Sequence, residues 1–374
     1  MKIVYCVSEL CHSGGIGRII TTKANYLARK GYEIIIITAE QADRPNFYIL
    51  DSCIKCYDMG INYAENKTIL GKAFAYPFKT MRHKKKLALL LNTIQPDIVI
   101  STMGNEAFFL YKLNNKSKKI LEIHFARGYR LMEKRSFFWR LIDLYRTWQE
   151  DRIIDKYSRF VTLTNEDKEH WKGNKVITIP NISSFYTKEK APLLNKQFIS
   201  VGRLVFQKGY DRLIEAWTLV YKKYPDWKLN IYGNGNLENR LKQQILKLGL
   251  QNVILIHPPV SNIEDKYMES SGFILSSRYE GLPMVLLEAM SCGLPIISFT
   301  CPCGPKDIIE HNIDGILVDE GDISGLAVAI IKLIENDIYR KQLGKTAIKK
   351  SCTYSPDIIM NKWIQLFEQV LQEK

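Results

Sequence analysis

Short apolar runs separated by helix-length amphipathic segments recur along the whole chain, and this alternation limits the folds open to it. Runs at 2–8, 32–38, 97–101, 119–124, 159–164 and 176–180 each read as a strand, with helical patterns between them. A second series starts at 197–201 and continues through 228–232, 253–257, 272–275 and 295–299, interleaved with helices at 210–223, 237–248 and 263–270. The last helices run from about residue 325 to the end. Continuous apolar strands are buried on both faces, and strands that alternate with helices pair in parallel. A loop rich in Ser, Thr and Lys at 182–196 parts the two series, and 374 residues exceed one ordinary core. The expected architecture is α/β, with two doubly wound Rossmann-like domains at 1–185 and 196–355 facing across a cleft. Ligands of such sheets bind beyond the carboxyl ends of the strands, where every notable motif of this chain falls.

Composition is that of a folded protein, with 46% hydrophobic and 25% charged residues. No apolar run reaches the ~18 residues needed to cross a bilayer. The start, Met1 to Val7, is too short and wrongly flanked for a signal peptide and reads as a strand. Eight cysteines in such a chain read as reduced structural thiols; Cys53 and Cys56 form a lone C-x-x-C pair, which is weak evidence for metal or redox work. Charge is uneven. Residues 1–180 carry 30 Lys and Arg against 18 Asp and Glu, whereas residues 181–374 carry 23 against 21. The first half is therefore suited to an anionic surface or substrate. Two basic, aromatic, helix-compatible stretches at 72–91 and 127–152 fit an anionic membrane face, or else pack their aromatics inward as ordinary amphipathic helices. No nucleic-acid-binding motif accompanies the charge.

The densest motif is Ser276-Ser277-Arg278-Tyr279-Glu280-Gly281-Leu282-Pro283-Met284-Val285-Leu286-Leu287-Glu288. Pro283 suits the first turn of a helix, where its missing N–H costs nothing. The amides of Met284, Val285 and Leu286 are then expected to be free at the positive end of the helix, which makes an anion site. Glu280 precedes that site and Glu288 lies one to two turns inside it. An anion between two carboxylates points to a phosphorylated, hydroxyl-rich ligand.

Other strand exits add to this. Gly202 to Gly209 places Arg203 and Lys208 where two cations can clamp a diphosphate. Gly233 and Asn234, in Tyr232-Gly233-Asn234-Gly235, make a tight turn that either borders a nucleotide base or is a plain turn. The turn at Ser13-Gly14-Gly15-Ile16-Gly17 brings backbone close to a ligand at a helix start, but Ile20 stands where a dinucleotide fingerprint needs its third glycine. His124 ends a strand, either as a buried hydrogen-bonded histidine or as a ligand contact; Glu122, two residues back, shares its side of the strand. No Asp-x-Asp is present, so a bridging divalent metal is not implied; Arg203, Lys208 and the helix start can do its charge work.

Taken together, Glu280-x7-Glu288 with Glu-Gly-Leu-Pro, the Gly202-Arg203…Lys208-Gly209 element, Tyr232-Gly233-Asn234-Gly235, Ile179-Pro180-Asn181 and Gly304-Pro305…Asp314-Gly315 resemble the family 4 retaining glycosyltransferases of GT-B fold. The resemblance is strong over about 197–320 and thinner before 180. It implies a nucleotide-sugar donor, most often UDP-linked, with no cofactor and no metal. It implies that Arg203 and Lys208 hold the diphosphate and that Glu288 binds the ribose hydroxyls. Glu280 contacts the donor sugar, together with the backbone of Gly281, Leu282, Pro283, Met284 and Val285. His124 lies near the reacting face of the sugar, and Gly14 and Gly15 line the phosphate or acceptor side. The final helix, about 356–374, crosses back to the first domain. The implied reaction moves a hexose to a saccharide or lipid-linked saccharide in capsule, O-antigen or exopolysaccharide synthesis, in the cytoplasm or on the inner membrane face. His257-Pro258-Pro259 departs from the family's commoner glycine. A GT-B nucleotide-sugar epimerase and a non-catalytic basic protein binding membrane or nucleic acid are the alternatives.

Overall fold

The computed structural model of the chain describes residues 1–12, 14–65, 68–133, 136–183 and 187–373. Ser13 of the glycine turn, Lys134 and Arg135 of the second basic stretch, and the domain boundary expected at 185 lie outside the described residues. Seven strands form one sheet: β1 (Lys2–Val7), β2 (Glu33–Thr38), β3 (Lys55–Asp58), β4 (Ile98–Ser101), β5 (Lys118–Glu122), β6 (Arg159–Thr162) and β7 (Val176–Thr178), in the order β3-β2-β1-β4-β5-β6-β7. Six more form a second: β8 (Gln197–Val201), β9 (Lys228–Tyr232), β10 (Ile254–His257), β11 (Phe273–Leu275), β12 (Ile296–Phe299) and β13 (Gly315–Val318), in the order β10-β9-β8-β11-β12-β13. The pairings between these strands are parallel. The cause is visible in β1, where Ile3 to Val7 are all buried and the chain has no solvated face to offer.

The first sheet carries helices α1 (Gly15–Arg29), α2 (Ile69–Ile94), α3 (Tyr129–Met132), α4 (Phe137–Ile153) and α5 (Asn165–His170). The second carries α6 (Tyr210–Lys223), α7 (Glu238–Lys247), α8 (Ile263–Met268), α9 (Met284–Ser291), α10 (Pro305–Ile308), α11 (Ile323–Glu335) and α12 (Asp337–Cys352). The closing helix, α13 (Pro356–Gln372), starts with proline at its first turn and buries Ile359, Met360, Trp363, Leu366, Phe367 and Val370. Those positions recur at helical spacing, and they join Ile3, Tyr5, Ile34 and Ile100 in one core of the first domain.

Two strands were not anticipated. All four residues of β3 are exposed, so it has no apolar pattern to read, and β13 begins on a glycine. The strand expected to run to residue 124 ends at Glu122, which leaves His124 in the following loop. In each sheet the order reverses beside the first strand, between β1 and β4 and between β8 and β11. Loops diverge at such points and leave a crevice. The loop leading into α1 leaves β1, the 202–209 loop leaves β8, and the 276–283 loop leaves β11.

The domains touch through polar groups. Asp307 of α10 accepts from the Asn165 amide at 2.7 Å, so a carboxylate of one domain sits at a helix start of the other. Glu166 accepts from the Cys303 amide at 3.0 Å. All eight cysteines are free thiols, and burial pushes those of Cys301 and Cys303 up.

The helix α4 is turned inside out. Asp143, Thr147, Glu150 and Ile153 face the domain, while Phe137, Phe138, Leu141, Leu144, Tyr145 and Trp148 are exposed. The inward-packing alternative therefore does not hold for this helix. Its inner acids are held: Arg130 reaches Glu150 at 2.7 Å, and Arg127 grips Asp151 with bonds of 3.0 and 2.7 Å. Arg140, Arg146 and Arg152 are left outside the core among the aromatics.

Candidate active site between the two sheets

The 276–283 loop leaves β11 and enters α9 through Pro283, the residue before the first helical turn, at φ −73°. Glu280 is buried there. Its Oε1 accepts from Lys208 Nζ at 2.7 Å and from Ser277 Oγ at 2.5 Å. One turn into α9, Glu288 is also buried. Its Oε1 accepts from Arg18 Nη1 at 2.9 Å and its Oε2 from the Tyr267 hydroxyl at 3.0 Å. Burial raises the Glu288 carboxyl from its ordinary range, and Arg18 and Tyr267 pull it back. Among the described residues no side chain caps α9, but the Leu286 amide is not free as expected: it donates to the Pro283 carbonyl at 2.9 Å. The amides expected to meet an anion narrow to those of Met284 and Val285, with Gly281 and Leu282 preceding them.

The loop after β8 is strapped to the turn after β9. Gly202 N donates to Tyr232 O at 3.0 Å and Leu204 N to Asn234 O at 2.7 Å. A Cβ at Gly233 would collide with the Gly202 carbonyl, so glycine is needed for this approach. The Gly233-Asn234 turn thus fixes the Arg203 loop from beneath. Arg203 itself is exposed, with Nη2 3.3 Å from Gln207 Oε1, and it makes no ion pair among the described residues. The two cations are therefore unequal: Lys208 is engaged by Glu280, and Arg203 is available.

On the opposite wall, no described atom lies within 4 Å of a Cβ placed on Gly14 or Gly15, which open α1 without a side-chain cap. Arg18, one turn on, is the residue that crosses to Glu288. His124 behaves differently from a ring at a strand exit that faces the cleft. Its side chain is 3% exposed and turns back along β5, with Nε2 3.3 Å from Glu122 Oε1. Lys23 Nζ donates to both oxygens of Glu122 at 2.7 Å and stacks 3.6 Å from the Trp363 ring centroid. Neither ring nitrogen of His124 makes a hydrogen bond among the described residues, and burial lowers its pKa, with Glu122 opposing. What His124 presents to the other domain is its carbonyl: a Cβ on Gly281 would stand 3.0 Å from it.

Glu280, Glu288, Lys208, Gly281 and the start of α9 are thus assembled in the second domain, with Arg18 and the His124 backbone against them. Arg18, Tyr267, Ser277 and Lys23 were not singled out by sequence. Arg18 abuts the glycine turn, which is its one local signal. A cavity of about 790 Å³ lies elsewhere, lined by Thr22, Asn25, Arg29, Ser291, Cys352 and Ser355. It sits one turn further along α1 and α9 than Arg18 and Glu288, on the side of α13. Among the described residues, two groups are close enough to share a cation, Asp167 with His170 and Cys303, and Glu9 with Cys11 and His12; neither includes Glu280 or Glu288.

Comparison with known proteins agrees with this architecture. The family model "Glycosyltransferase Family 4" matches residues 13–182, and "Glycosyl transferases group 1" matches residues 185–350. An "Uncharacterized glycosyltransferase" of Haemophilus influenzae is 31% identical over 97% of this chain and 98% of that protein. The "Amylovoran biosynthesis glycosyltransferase AmsD" of Erwinia amylovora is 28% identical over 97% and 98%. The crystal structure of a mutant of S. aureus TarM in complex with Fondaparinux, alpha-GlcNAc-glycerol and UDP superposes with a TM-score of 0.76 at 18% identity, covering 98% of this chain and 99% of that one. Two parallel-sheet domains with motifs at both switch points, matched in turn by these two models, make the chain a member of the glycosyltransferases: a family 4 domain followed by a group 1 domain, in the GT-B fold.

Proposed function

We propose that the protein moves a hexose from a nucleotide sugar, UDP-linked, to a hydroxyl of a saccharide or lipid-linked saccharide, with retention at the anomeric carbon, in capsule, O-antigen or exopolysaccharide synthesis. The observation that carries this reading is the pair of buried carboxylates, Glu280 and Glu288, flanking the uncapped start of α9, each holding a cation. The part of AmsD in amylovoran biosynthesis, as its name gives it, supports the setting, and the UDP bound by the TarM mutant supports the donor.

In this reading Glu288 accepts the ribose hydroxyls, Glu280 a hydroxyl of the sugar, and Arg203, Lys208 and the Met284 and Val285 amides face the diphosphate. Departure of the diphosphate builds negative charge that these groups stabilise more than they stabilise the ground state. The acceptor oxygen bonds to the anomeric carbon on the face that the diphosphate leaves, and its proton passes to the departing phosphate oxygen. In this scheme Glu280 serves as a hydroxyl partner at the helix start and not as the nucleophile, with its Oε1 accepting from Lys208 and Ser277. No metal or cofactor has a role in this scheme. The His124 carbonyl and Gly14–Gly15 border the acceptor side.

The exposed aromatic and arginine face of α4 supports an acceptor met at an anionic membrane surface, each near-surface cation contributing about 1 kcal/mol. No helix among the described residues is long and apolar enough to cross a membrane. Vesicles of anionic lipid should retain the protein at low salt and release it at high salt; equal retention by neutral vesicles would remove this part.

Thermal-shift screening against UDP-, GDP-, ADP- and dTDP-sugars tests the donor, since a ligand of the native state raises the melting midpoint. One donor should stabilise and then yield free nucleoside diphosphate when acceptor is added. Stabilisation by none would overturn the reading. An epimerised nucleotide sugar formed from donor alone would replace transfer with epimerisation.

A further inference from the structure

We propose that Arg18 is a positioning residue of the nucleotide site: supplied by the first domain, it holds the Glu288 carboxylate so that the remaining acceptor positions meet the two ribose hydroxyls, which makes ribose recognition depend on the closed cleft. This rests on the donor reading above. An ionised carboxylate has about four lone-pair positions. Arg18 fills one on Oε1 and Tyr267 one on Oε2, at 2.9 and 3.0 Å. That leaves one on each oxygen, which is the demand of a cis-diol offering two O–H donors.

The geometry makes the contact more than a surface ion pair. Glu288 is buried, and Arg18 keeps one third of its side chain exposed at the first turn of α1. A buried carboxylate without a cation takes up a proton instead of staying charged. The other titratable groups facing it are Tyr267 of α8, Tyr48 from the segment between β2 and β3, and Cys292 at the end of α9. None of these brings a positive charge, so Arg18 is the cation of this carboxylate among the described residues. It reaches Glu288 only when the two sheets face each other as they do here. Opening the cleft removes the cation, and the ribose site loses its ionised, oriented acceptor. Arg18 acts through Glu288 and needs no contact with the nucleotide.

Calorimetric titration of the full-length protein separates this role from a phosphate contact. The probes are UDP and 2′,3′-dideoxy-UDP, or the corresponding pair of GDP or ADP if that base binds wild type. R18A should weaken UDP binding about tenfold to a hundredfold, the range for losing a charge-assisted bond. It should leave dideoxy-UDP binding within about twofold, since no diol is present to miss the oriented acceptor. R18K should recover part of the UDP affinity. Lowering the pH from 8 to 6 should weaken UDP binding to R18A more steeply than to wild type, because Glu288 without Arg18 takes up its proton at higher pH. Equal losses for the two nucleotides, or parallel pH profiles, would overturn the role through Glu288. Wild type that binds no nucleoside diphosphate would fail the donor reading itself, and this inference with it. Melting midpoints of R18A and R18K confirm that folded protein is compared.

Discussion

Lys208 reaches across the mouth of the second sheet to Glu280, its Nζ 2.7 Å from Oε1, with Ser277 on the same oxygen. The pair neutralises a buried carboxylate beside the place where a diphosphate is proposed to bind. Arg203 stands exposed nearby, so the loop after β8 offers one committed cation and one available cation.

Removing either cation should be felt in turnover, and removing Lys208, which neutralises the buried Glu280, in stability as well. Lys208→Ala or Arg203→Ala should lower kcat by about a hundredfold to a thousandfold, the range for losing one preorganised charge stabiliser. Arg203→Ala should leave the melting midpoint nearly unchanged, because that side chain is exposed. Steady-state kinetics with the donor found by screening checks both. Full activity in the two variants would refute the assignment to the diphosphate.

The buried pair of Lys23 and Glu122, beneath His124 and against Trp363, should matter to stability more than to chemistry. Lys23→Met alone leaves Glu122 buried without its cation and should cost about 3–5 kcal/mol. Adding Glu122→Gln should restore much of that loss, since no unpaired charge then remains. Urea denaturation of the two variants and of wild type gives the comparison. Additive losses would show that the two side chains are not coupled.

Acid should loosen the first domain through His83. Its Nδ1 lies 3.0 Å from the Tyr63 hydroxyl, its Nε2 has no partner among the described residues, and burial pushes its pKa down to about 4. The ring is neutral in the folded state, whereas the unfolded ring binds a proton below about 6.5. Stability from this group is complete above about 6.5 and is lost as the pH falls toward 4, at most about 3 kcal/mol. Urea midpoints between pH 7.5 and 4.5 should fall more steeply for wild type than for His83→Phe. Parallel slopes would exclude His83 as the sensor.

Gly281 should tolerate little. A Cβ there meets the His124 carbonyl at 3.0 Å, so Ala requires a shift of a few tenths of an ångström and Val much more. The clash is relieved by parting the domains, which misplaces the groups on the two walls. Gly281→Val should lower kcat/KM at least about tenfold with a nearly unchanged melting midpoint. Unimpaired kinetics would show that this close approach is dispensable.

The strand and helix periods and the residues at strand exits were legible because they are local. Continuous apolar runs such as Ile3 to Val7 can be satisfied only by burial on both faces, and Pro283 with the residues after it marks a helix start from its own chemistry. β3 was illegible because an exposed edge strand carries no apolar pattern. The amphipathic pattern of α4 was readable too, but its period is the same whether the apolar side meets a core or solvent. The packing of the acids against Arg127 and Arg130 decided that it faces out.

What tertiary structure alone decided is which charges meet. Arg18 and Glu288 are 270 residues apart, and Lys23 and Glu122 are 99 apart. No local rule of spacing links such positions; the topology of the two sheets and the return of α13 bring them together. Sequence left His124 as either a buried histidine or a ligand contact at the cleft; the ring is buried and turns back toward Glu122, and the carbonyl faces Gly281. The ring lies beside a buried carboxylate clamped by Lys23, a setting that exists only once α1, β5 and α13 are packed.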